Sequence, residues 1–188
     1  SDRASGAPGI DADFAQMAHA GVEHLTGLGH RRIIALMRET ASDDAHARQD
    51  HTHELLRAAQ KLGVEILVRQ VPEAALAGAD IVRSGGLIEG CSAVLSNNPA
   101  AVVGLACAAQ AHGLSIPADL SVLTLGITQD SVRRGEAFSE LSVNRETMGA
   151  EAGSLLLRRL RGEPDPSQHR GLMPAVLTDR GSTALCRS

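Results

Sequence analysis

The sequence predicts an α/β fold with an open parallel sheet and helices on both faces. Short apolar runs bounded by charged residues, such as Ile33 to Met37 and Ala93 to Leu95, are typical of buried parallel strands. Between these runs, apolar residues recur at helical spacing. Strands that alternate with helices of this length form right-handed βαβ units, and such units build one sheet covered on both faces.

The elements follow one another in a regular order. Residues 1–10 are small and polar and are expected to form a tail or linker. Predicted helices begin near Asp13, Ser42, Glu73, Pro99 and Glu146. Predicted strands span 33–37, 64–68, 93–95, 120–125, 141–143 and 172–177. The regular alternation ends near Thr128, and the later elements follow a loop.

Composition narrows the classes of function. The chain has 188 residues, 43 % of them hydrophobic, which is enough for one sizeable core. A net charge of −4 gives no basic field for nucleic acid or for an anionic membrane. The three cysteines are far apart, without metal-ligand spacing, and indicate reduced thiols in a cytoplasmic protein. No apolar stretch is long enough to span a bilayer.

Catalytic and metal motifs are not found in the sequence. It contains no G-x-S-x-G elbow, no G-x-G-x-x-G after a strand and no P-loop, so we expect neither an enzyme nor a bound cofactor. His46, His51 and His53 form a cluster of possible metal ligands. Because His51 and His53 are two positions apart on a predicted helix, they point to different faces, and a shared metal ion is not expected.

Five segments in order carry a family resemblance: GVEHLTGLGHRRIIAL, AVLSNNPAAVVGL, GLSIPADLSVLTLG, MGAEAGSLLLRRLRGE and AVLTDRGST. Together they resemble the effector-binding region of the lactose-repressor/galactose-repressor (LacI/GalR) family of bacterial transcription regulators, over residues 11–184. The resemblance implies a periplasmic-binding-protein-like lobe of type I. It places the C-terminal lobe at 11–128, a return segment belonging to the N-terminal lobe at 129–171, and the final strands and tail at 172–188.

The resemblance also implies a function. This part of the family senses an effector and dimerises, and a small molecule between two lobes, a sugar or related metabolite, controls DNA binding. The family's DNA-binding helix-turn-helix and the first half of its N-terminal lobe have no counterpart before Ser1, so DNA contact is expected only through that missing part. Two alternatives remain open: a periplasmic-type solute-binding protein and a ligand-free dimerisation module.

Three polar residues match positions at which the family contacts ligand, and each has a structural alternative. Arg48 offers a guanidinium fork for a hydroxyl or carboxylate, or it pairs with Asp44 along its helix. Asn98 would touch the effector, although an asparagine before Pro99 is also a favourable helix cap. Asp13 aligns with a family aspartate, but a helix N-cap is the favoured interpretation.

Three further positions bear on the effector. Gly126 and Ile127 stand where the family usually places an aspartate pair that accepts hydrogen bonds from a sugar. Neither side chain can accept, and an unpaired buried hydroxyl costs about 1–3 kcal/mol, so an ordinary sugar effector is in doubt. Phe138 either covers an apolar face of the ligand or anchors a loop in the core, and the second interpretation is favoured.

The helix PAAVVGLACAAQAHG is apolar nearly all round, more than packing on its own sheet requires. The family uses this region for a two-fold homodimer, so we expect an interface containing Val102, Leu105, Ala106 and Ala109. The later helix has an apolar stripe, Met148 to Leu160, that the missing lobe covers in the family. We expect that helix to swap onto another copy or to fold back on its own sheet.

A basic segment follows the first predicted helix, which Gly29 ends. The last carbonyls of a helix lack partners inside the helix and attract cations. We therefore expect His30, Arg31 and Arg32 to complement the helix end.

Overall fold

A computed structural model describes residues 9–39, 45–85, 90–126, 138–163 and 171–187, with the backbone alone over 45–50. The helices are α1 (Phe14–Gly27), α2 (Ala45–Leu62), α3 (Ala75–Arg83), α4 (Pro99–Ala111) and α5 (Arg145–Leu160). The strands are β1 (Ile10–Ala12), β2 (Arg32–Arg38), β3 (Glu65–Val71), β4 (Ala93–Ser96), β5 (Ser121–Leu125), β6 (Ser139–Ser142), β7 (Gly171–Met173) and β8 (Val176–Thr178).

Six strands form the main sheet, in the order β3-β2-β4-β5-β6-β8. Neighbouring strands are parallel from β3 to β6, and β8 runs antiparallel to β6. Successive side chains of a strand point to opposite faces. Ile33 and Ala35 of β2 accordingly join a core cluster with α1 and α2, while Ile34 and Leu36 join a second cluster with α3 and α4. The predicted open parallel sheet with helices on both faces is confirmed.

Helices α3 and α4 approach each other more closely than side chains would allow. A Cβ atom on Gly78 would overlap the carbonyl of Ala101, and one on Gly104 would overlap the carbonyl of Ala75. The two glycines therefore let each helix rest directly on the other's backbone. Helix α4 is enclosed by α3 on one side and by the sheet on another, which explains why its sequence is apolar nearly all round.

A second, smaller unit lies apart from the main sheet. Strands β1 and β7 pair in parallel as a two-stranded sheet. Helix α5 lies against β1 and has no buried residue. The chain passes between the two sheets three times: from β1 to α1, from β6 to α5 and from β7 to β8.

The assignment of strands to the two sheets differs from three of the predictions. The strand of the predicted return segment is β6, which lies in the main sheet and not in another lobe. The predicted strand 172–177 is divided between the two sheets at Pro174 and Ala175. Ile10 belongs to β1, so the predicted tail ends in a strand, and the proposed cap Ser42 lies outside the described residues.

The apolar stripe of α5 does not pack on the main sheet, which was one of the two expectations for it. Leu156, Leu157 and Leu160 are exposed, so the helix does not fold back on the main sheet of its own chain. Its association with another copy stays a prediction.

The basic segment after α1 has three separate roles. Arg31 Nη1 donates to the carbonyl of Thr26 at 3.0 Å, which confirms its predicted place at the helix end. Arg32 instead forms an ion pair with Glu65, Nε to Oε2 at 2.8 Å. His30 is buried and bonds to residues beyond the helix, so the prediction was wrong for these two side chains.

Residues 179–186, called here the strap, close the end of the sheet at which the strands begin. The Ser182 hydroxyl donates to the carbonyl of Val122 at 2.6 Å and accepts from Ser139 N at 2.7 Å. At the far end of the strap, Cys186 N donates to the carbonyl of Leu28 at 2.8 Å. Buried polar atoms at this end thus find partners within the chain, as a stable fold requires.

Candidate functional site

A pocket opens at the end of the main sheet at which the strands finish. In open parallel sheets, ligands bind beyond the carboxyl ends of the strands. The cavity volume is about 20 Å³, which is room for about one water molecule, so a larger ligand would need the lining side chains to move apart. Its lining residues come from α1, β2, α2, the β4–α4 turn and β5, and they are Phe14, Met17, Ala18, Met37, His51, Leu55, Asn97 and Leu125.

The floor of this pocket is apolar. Five of its lining residues are buried in the core: Met17, Ala18, Met37, Leu55 and Leu125. Among the described lining residues, none carries a carboxylate or a guanidinium group. The described part of the pocket is therefore suited to an apolar group.

The remaining three lining residues are more exposed and form the mouth. The rings of Phe14 and His51 are in contact, with centroids 3.9 Å apart and planes tilted by 36°. Asn97 follows β4, and its Oδ1 accepts a hydrogen bond from the backbone N of Arg38 at 2.8 Å. This bond fixes the amide orientation and leaves the Nδ2 donors of Asn97 for a ligand, because no described residue accepts from them.

Two of the predicted ligand residues serve as helix caps. Asp13 Oδ1 accepts from Gln16 N at 2.9 Å and caps α1. Asn98 is fully buried, and its Oδ1 accepts from Ala101 N at 3.1 Å to cap α4. Its Nδ2 donates to the carbonyls of Val71 and Pro72. The capping alternative is confirmed for both residues, and the asparagine that lines the pocket is Asn97.

The other four residues considered for the ligand site are Arg48, Gly126, Ile127 and Phe138. The side chain of Arg48 lies outside the described residues, as does Ile127. Gly126 is exposed and follows β5 with a φ of +62°, and its backbone N donates to Leu141 O. Phe138 packs against the core cluster formed by α3 and α4, on the sheet face away from the pocket, which confirms its predicted role as a core anchor.

The four residues expected at a dimer interface are buried within their own chain. Val102, Leu105, Ala106 and Ala109 are at most 5 % exposed. A partner could reach them only by opening the core, so their proposed contact with a second copy is corrected. Outward-facing residues of α4 include Cys107 and Gln110, and Leu76 of α3 is 69 % exposed.

The sequence interpretation misses the residues that form the pocket. Phe14, Met17 and Met37 fit the core patterns of a helix and a strand, and His51 suggests only a possible metal ligand. The described residues contain no group of three side chains able to hold a metal ion. The adjacent asparagines 97 and 98 give one usable signal, because a capping residue is buried and its predecessor is left to face the cleft.

At the opposite end of the sheet, His30 ties the strap to two strands. Its Nε2 lies 3.1 Å from the carbonyl of Ala184 and 3.0 Å from the Ser121 hydroxyl. Because a carbonyl only accepts, Nε2 carries a proton. When the ring is neutral, Nδ1 accepts from the Ser92 hydroxyl, which lies 2.7 Å away.

The pKa values at this end agree with that geometry. Burial lowers the pKa of His30 below its ordinary value, and the hydrogen bond to Ala184 opposes this only in part. Burial also lowers the pKa of His24, which contacts the Thr183 hydroxyl at 3.0 Å. Asp179 accepts hydrogen bonds from Gly181 N and the Ser139 hydroxyl, and these bonds lower its pKa.

The chain thus combines a mostly parallel sheet, helices on both faces and a pocket beside the crossovers to a second sheet. The chain belongs to the family of periplasmic binding protein-like domains, which it matches over residues 22–183. This match confirms the domain type implied by the sequence resemblance.

Solved structures of LacI-family regulators share the fold. A LacI family transcriptional regulator from Bifidobacterium animalis subsp. lactis has a TM-score of 0.82 and 21 % identity, over 97 % of this chain and 66 % of that one. One from Enterococcus faecium with bound ribose has a TM-score of 0.79 and 19 % identity, over 100 % and 69 %. A LacI-family regulatory protein from Corynebacterium glutamicum has a TM-score of 0.79 and 24 % identity, over 97 % and 69 %. The chain thus spans about two thirds of their length.

A search of curated protein sequences finds no significant match. Within the part of the chain that the structure describes, no helix combines the length and apolar character needed to cross a membrane.

Proposed function

We propose that this chain is the effector-sensing region of a bacterial transcriptional regulator. A small molecule binds at the carboxyl end of the main sheet and changes the relation between the two lobes. The observation that carries this proposal is the position of the pocket beside the crossovers. Phe14, at its mouth, directly follows the segment that leaves β1 for α1.

Hydrogen bonds join the start of α1, which is itself the end of the β1–α1 crossover, to the crossover from β7 to β8. Asp13 N donates to the carbonyl of Met173 in β7 at 2.8 Å. The Gln16 amide both accepts from Ala175 N at 2.9 Å and donates to Ala175 O at 3.3 Å. A ligand that moves Phe14 would therefore act on two crossovers at once, which is the arrangement a hinge type of allosteric change requires.

DNA binding enters the proposal only through a helix-turn-helix outside these 188 residues. The net charge of −4 supplies no electrostatic attraction to phosphates from this region itself. The similar solved structures are transcriptional regulators and not enzymes, which supports a sensing role over catalysis. We place the protein in the cytoplasm, where such a regulator meets DNA.

Homodimerisation is the second part of the proposal. Burial of the four predicted interface residues moves the expected interface to the outward sides of α3 and α4, where Leu76 is exposed. A Leu76→Arg variant is expected to shift a dimer towards monomer in sedimentation velocity. Unchanged sedimentation in that variant would remove α3 from the interface.

The ligand part is tested by thermal unfolding with a metabolite library. A compound at a hundredfold excess over its Kd stabilises by about 2.7 kcal/mol and should raise the Tm by about 5 °C or more. Ala18→Leu fills the pocket and should abolish that rise. Ala111→Leu, the same change at an exposed position of α4, should preserve it.

Two results would contradict the proposal. If no metabolite raises the Tm, or if Ala18→Leu responds as the unaltered chain does, the pocket is not an effector site. If a ligand binds but leaves DNA binding by the full-length protein unchanged, solute capture is the better description.

A further inference from the structure

The first turn of α1 has the sequence pattern of a capping box. In that motif the N-cap side chain accepts from the backbone N of the third helical residue, and a Glu or Gln there accepts in return from the N-cap backbone N. Asp13 is the N-cap of α1, and Gln16 is its third helical residue. The first half of the motif is formed, because Asp13 Oδ1 accepts from Gln16 N at 2.9 Å.

The second half of the motif is replaced by bonds that leave the helix. Asp13 N donates to the carbonyl of Met173 at 2.8 Å. The Gln16 amide reaches the crossover from β7 to β8, where it accepts from Ala175 N at 2.9 Å and donates to Ala175 O at 3.3 Å. Since a backbone N only donates and a carbonyl only accepts, these partners fix the orientation of the amide. The two bonds between Gln16 and Ala175 are called here the latch.

The other side-chain caps of the described helices are simpler. Asn98 caps α4 and Asn144 caps α5, each by accepting from the third helical residue. Those third residues are Ala101 and Thr147, which have no carboxamide or carboxylate to complete a capping box. Among the described helices with a side-chain cap, α1 alone has Gln or Glu at this position.

Two arrangements therefore satisfy Asp13 N. In the first, Met173 O accepts from it and Gln16 holds Ala175. If β7 moves away, Asp13 N loses that acceptor, and Gln16 Oε1 can replace it only by leaving Ala175. Ala175 is 7 % exposed, and its N–H and carbonyl would then depend on water, which favours the latch while the two sheets stay together.

We propose that Gln16 is a two-position switch between the main sheet and the smaller unit. It bonds to Ala175 in the arrangement described above, and it turns back to Asp13 N when β7 moves away. Phe14 lies between Asp13 and Gln16 in sequence and lines the pocket, so a ligand there would act on the switch. This inference rests on the proposed function and deepens it by naming the residue through which a ligand changes the relation of the two lobes.

Backbone amide exchange followed by NMR tests the switch in the 188-residue chain. Gln16→Ala removes both positions, so the N–H groups of Ala175 and Asp13 should each exchange about tenfold faster. Gln16→Glu loses the donor to Ala175 O, and its negative charge at the start of α1 favours the capping box. Ala175 N–H should again exchange about tenfold faster, while Asp13 N–H keeps the protection of the unaltered chain.

Gln60→Ala is the matched control, because it makes the same change at an exposed position of α2. It should leave the exchange of both N–H groups unchanged. The N–H groups of β2, inside the main sheet, should be equally protected in all these chains. A loss of protection that β2 shares with Ala175 would reflect general destabilisation and would count against the switch.

Residual dipolar couplings report whether the two units move as one body. A single alignment should fit the N–H couplings of both units in the unaltered chain and in Gln60→Ala. In Gln16→Ala and Gln16→Glu, the couplings of β1, α5 and β7 should shrink relative to those of the main sheet. Couplings that stay equally large in both variants would show that Gln16 does not hold the units together.

The remaining outcomes separate this inference from the sensing function. If Gln16→Ala leaves Ala175 exchange unchanged, the latch is not formed and the switch is overturned. If Asp13 N–H loses protection equally in Gln16→Glu and Gln16→Ala, Gln16 has one position and not two. Neither result bears on ligand binding, which the metabolite screen by thermal unfolding decides. If no metabolite raises the Tm while the exchange pattern holds, the two-position geometry stands and its use in sensing falls.

Discussion

The two faces of the main sheet are packed in different ways. On one face, α3 and α4 meet backbone to backbone through Gly78 and Gly104. On the other face, α1 and α2 pack through side chains, and a pocket remains between them and the ends of the strands. Gly21 of α1 illustrates the contrast, because the atoms nearest to a Cβ there would be the side-chain ends of Leu95, Leu125 and Leu141 at 3.2–3.4 Å.

This difference separates stability from binding. Backbones in direct contact leave no space for a ligand and no freedom to adjust, since close-packed interiors resist small changes in volume. Side-chain ends can move aside, and the face with such contacts is the one with the pocket. Binding is thus expected to act on the α1–α2 face while the α3–α4 face stays fixed.

The largest expected effect comes from Gly104→Ala. The added methyl group would overlap the backbone of Ala75, so the two helices would have to move apart. Overpacking typically costs about 1–3 kcal/mol, and contact with backbone should place the loss in free energy of unfolding at about 3 kcal/mol or more. Urea unfolding followed by circular dichroism measures it.

Gly149→Ala is the matched control for this substitution. A methyl group added to Gly149 would have no atom within 4 Å, and the residue is exposed on α5. Alanine should therefore be neutral or stabilising by up to about 1 kcal/mol through helix propensity. Equal effects at Gly104 and Gly149 would show that the backbone contact between α3 and α4 is not formed.

An intermediate effect on stability is expected from His24 and His30, the two histidines that contact the strap. Because burial lowers the pKa of His30 and of His24, the unfolded chain binds more protons at mildly acidic pH. The free energy of unfolding should be highest at neutral pH and should fall as the pH drops below the unfolded value of about 6.5.

The pH effect is measured from urea midpoints between about pH 7.5 and pH 5.5, above the range in which carboxylates titrate. His30→Gln should lower the midpoint at neutral pH and flatten its dependence on pH. His53→Gln, at an exposed position, should leave the dependence unchanged. A steep dependence that persists without His30 would assign the effect to another group.

The smallest effect is expected for Gly21→Ala on the pocket face. Its methyl group would press on leucine side-chain ends that can shift, and the gain in helix propensity offsets part of that cost. The net change in free energy of unfolding should stay within about 1 kcal/mol. A loss as large as that of Gly104→Ala would mean that both faces are equally rigid.

Local sequence patterns predict most of the main sheet. The alternation of Ile33, Ile34, Ala35 and Leu36 with flanking charges marks a strand buried on both faces, and β2 spans that run. The same patterns could not assign strands to sheets. The run 172–177 appears continuous in sequence, yet Pro174 lacks the N–H that a ladder needs, and the chain changes sheets there.

The site is harder to predict for a physical reason. Asp13 and Asn98 are polar residues beside strand ends, and helix capping uses such residues at those places as readily as ligand binding does. The pocket residues Met17, Met37 and Leu125 belong to ordinary apolar patterns. Only the tertiary packing shows that the space between them is left unfilled.

The three crossings between the sheets limit how this protein can evolve by recombination. The pieces of the small unit, β1, α5 and β7, are scattered along the chain and interleaved with pieces of the main sheet. A single recombination point in the gene between β2 and β7 would split both sheets instead of exchanging one of them. Exchange of one unit alone would therefore need more than one recombination point.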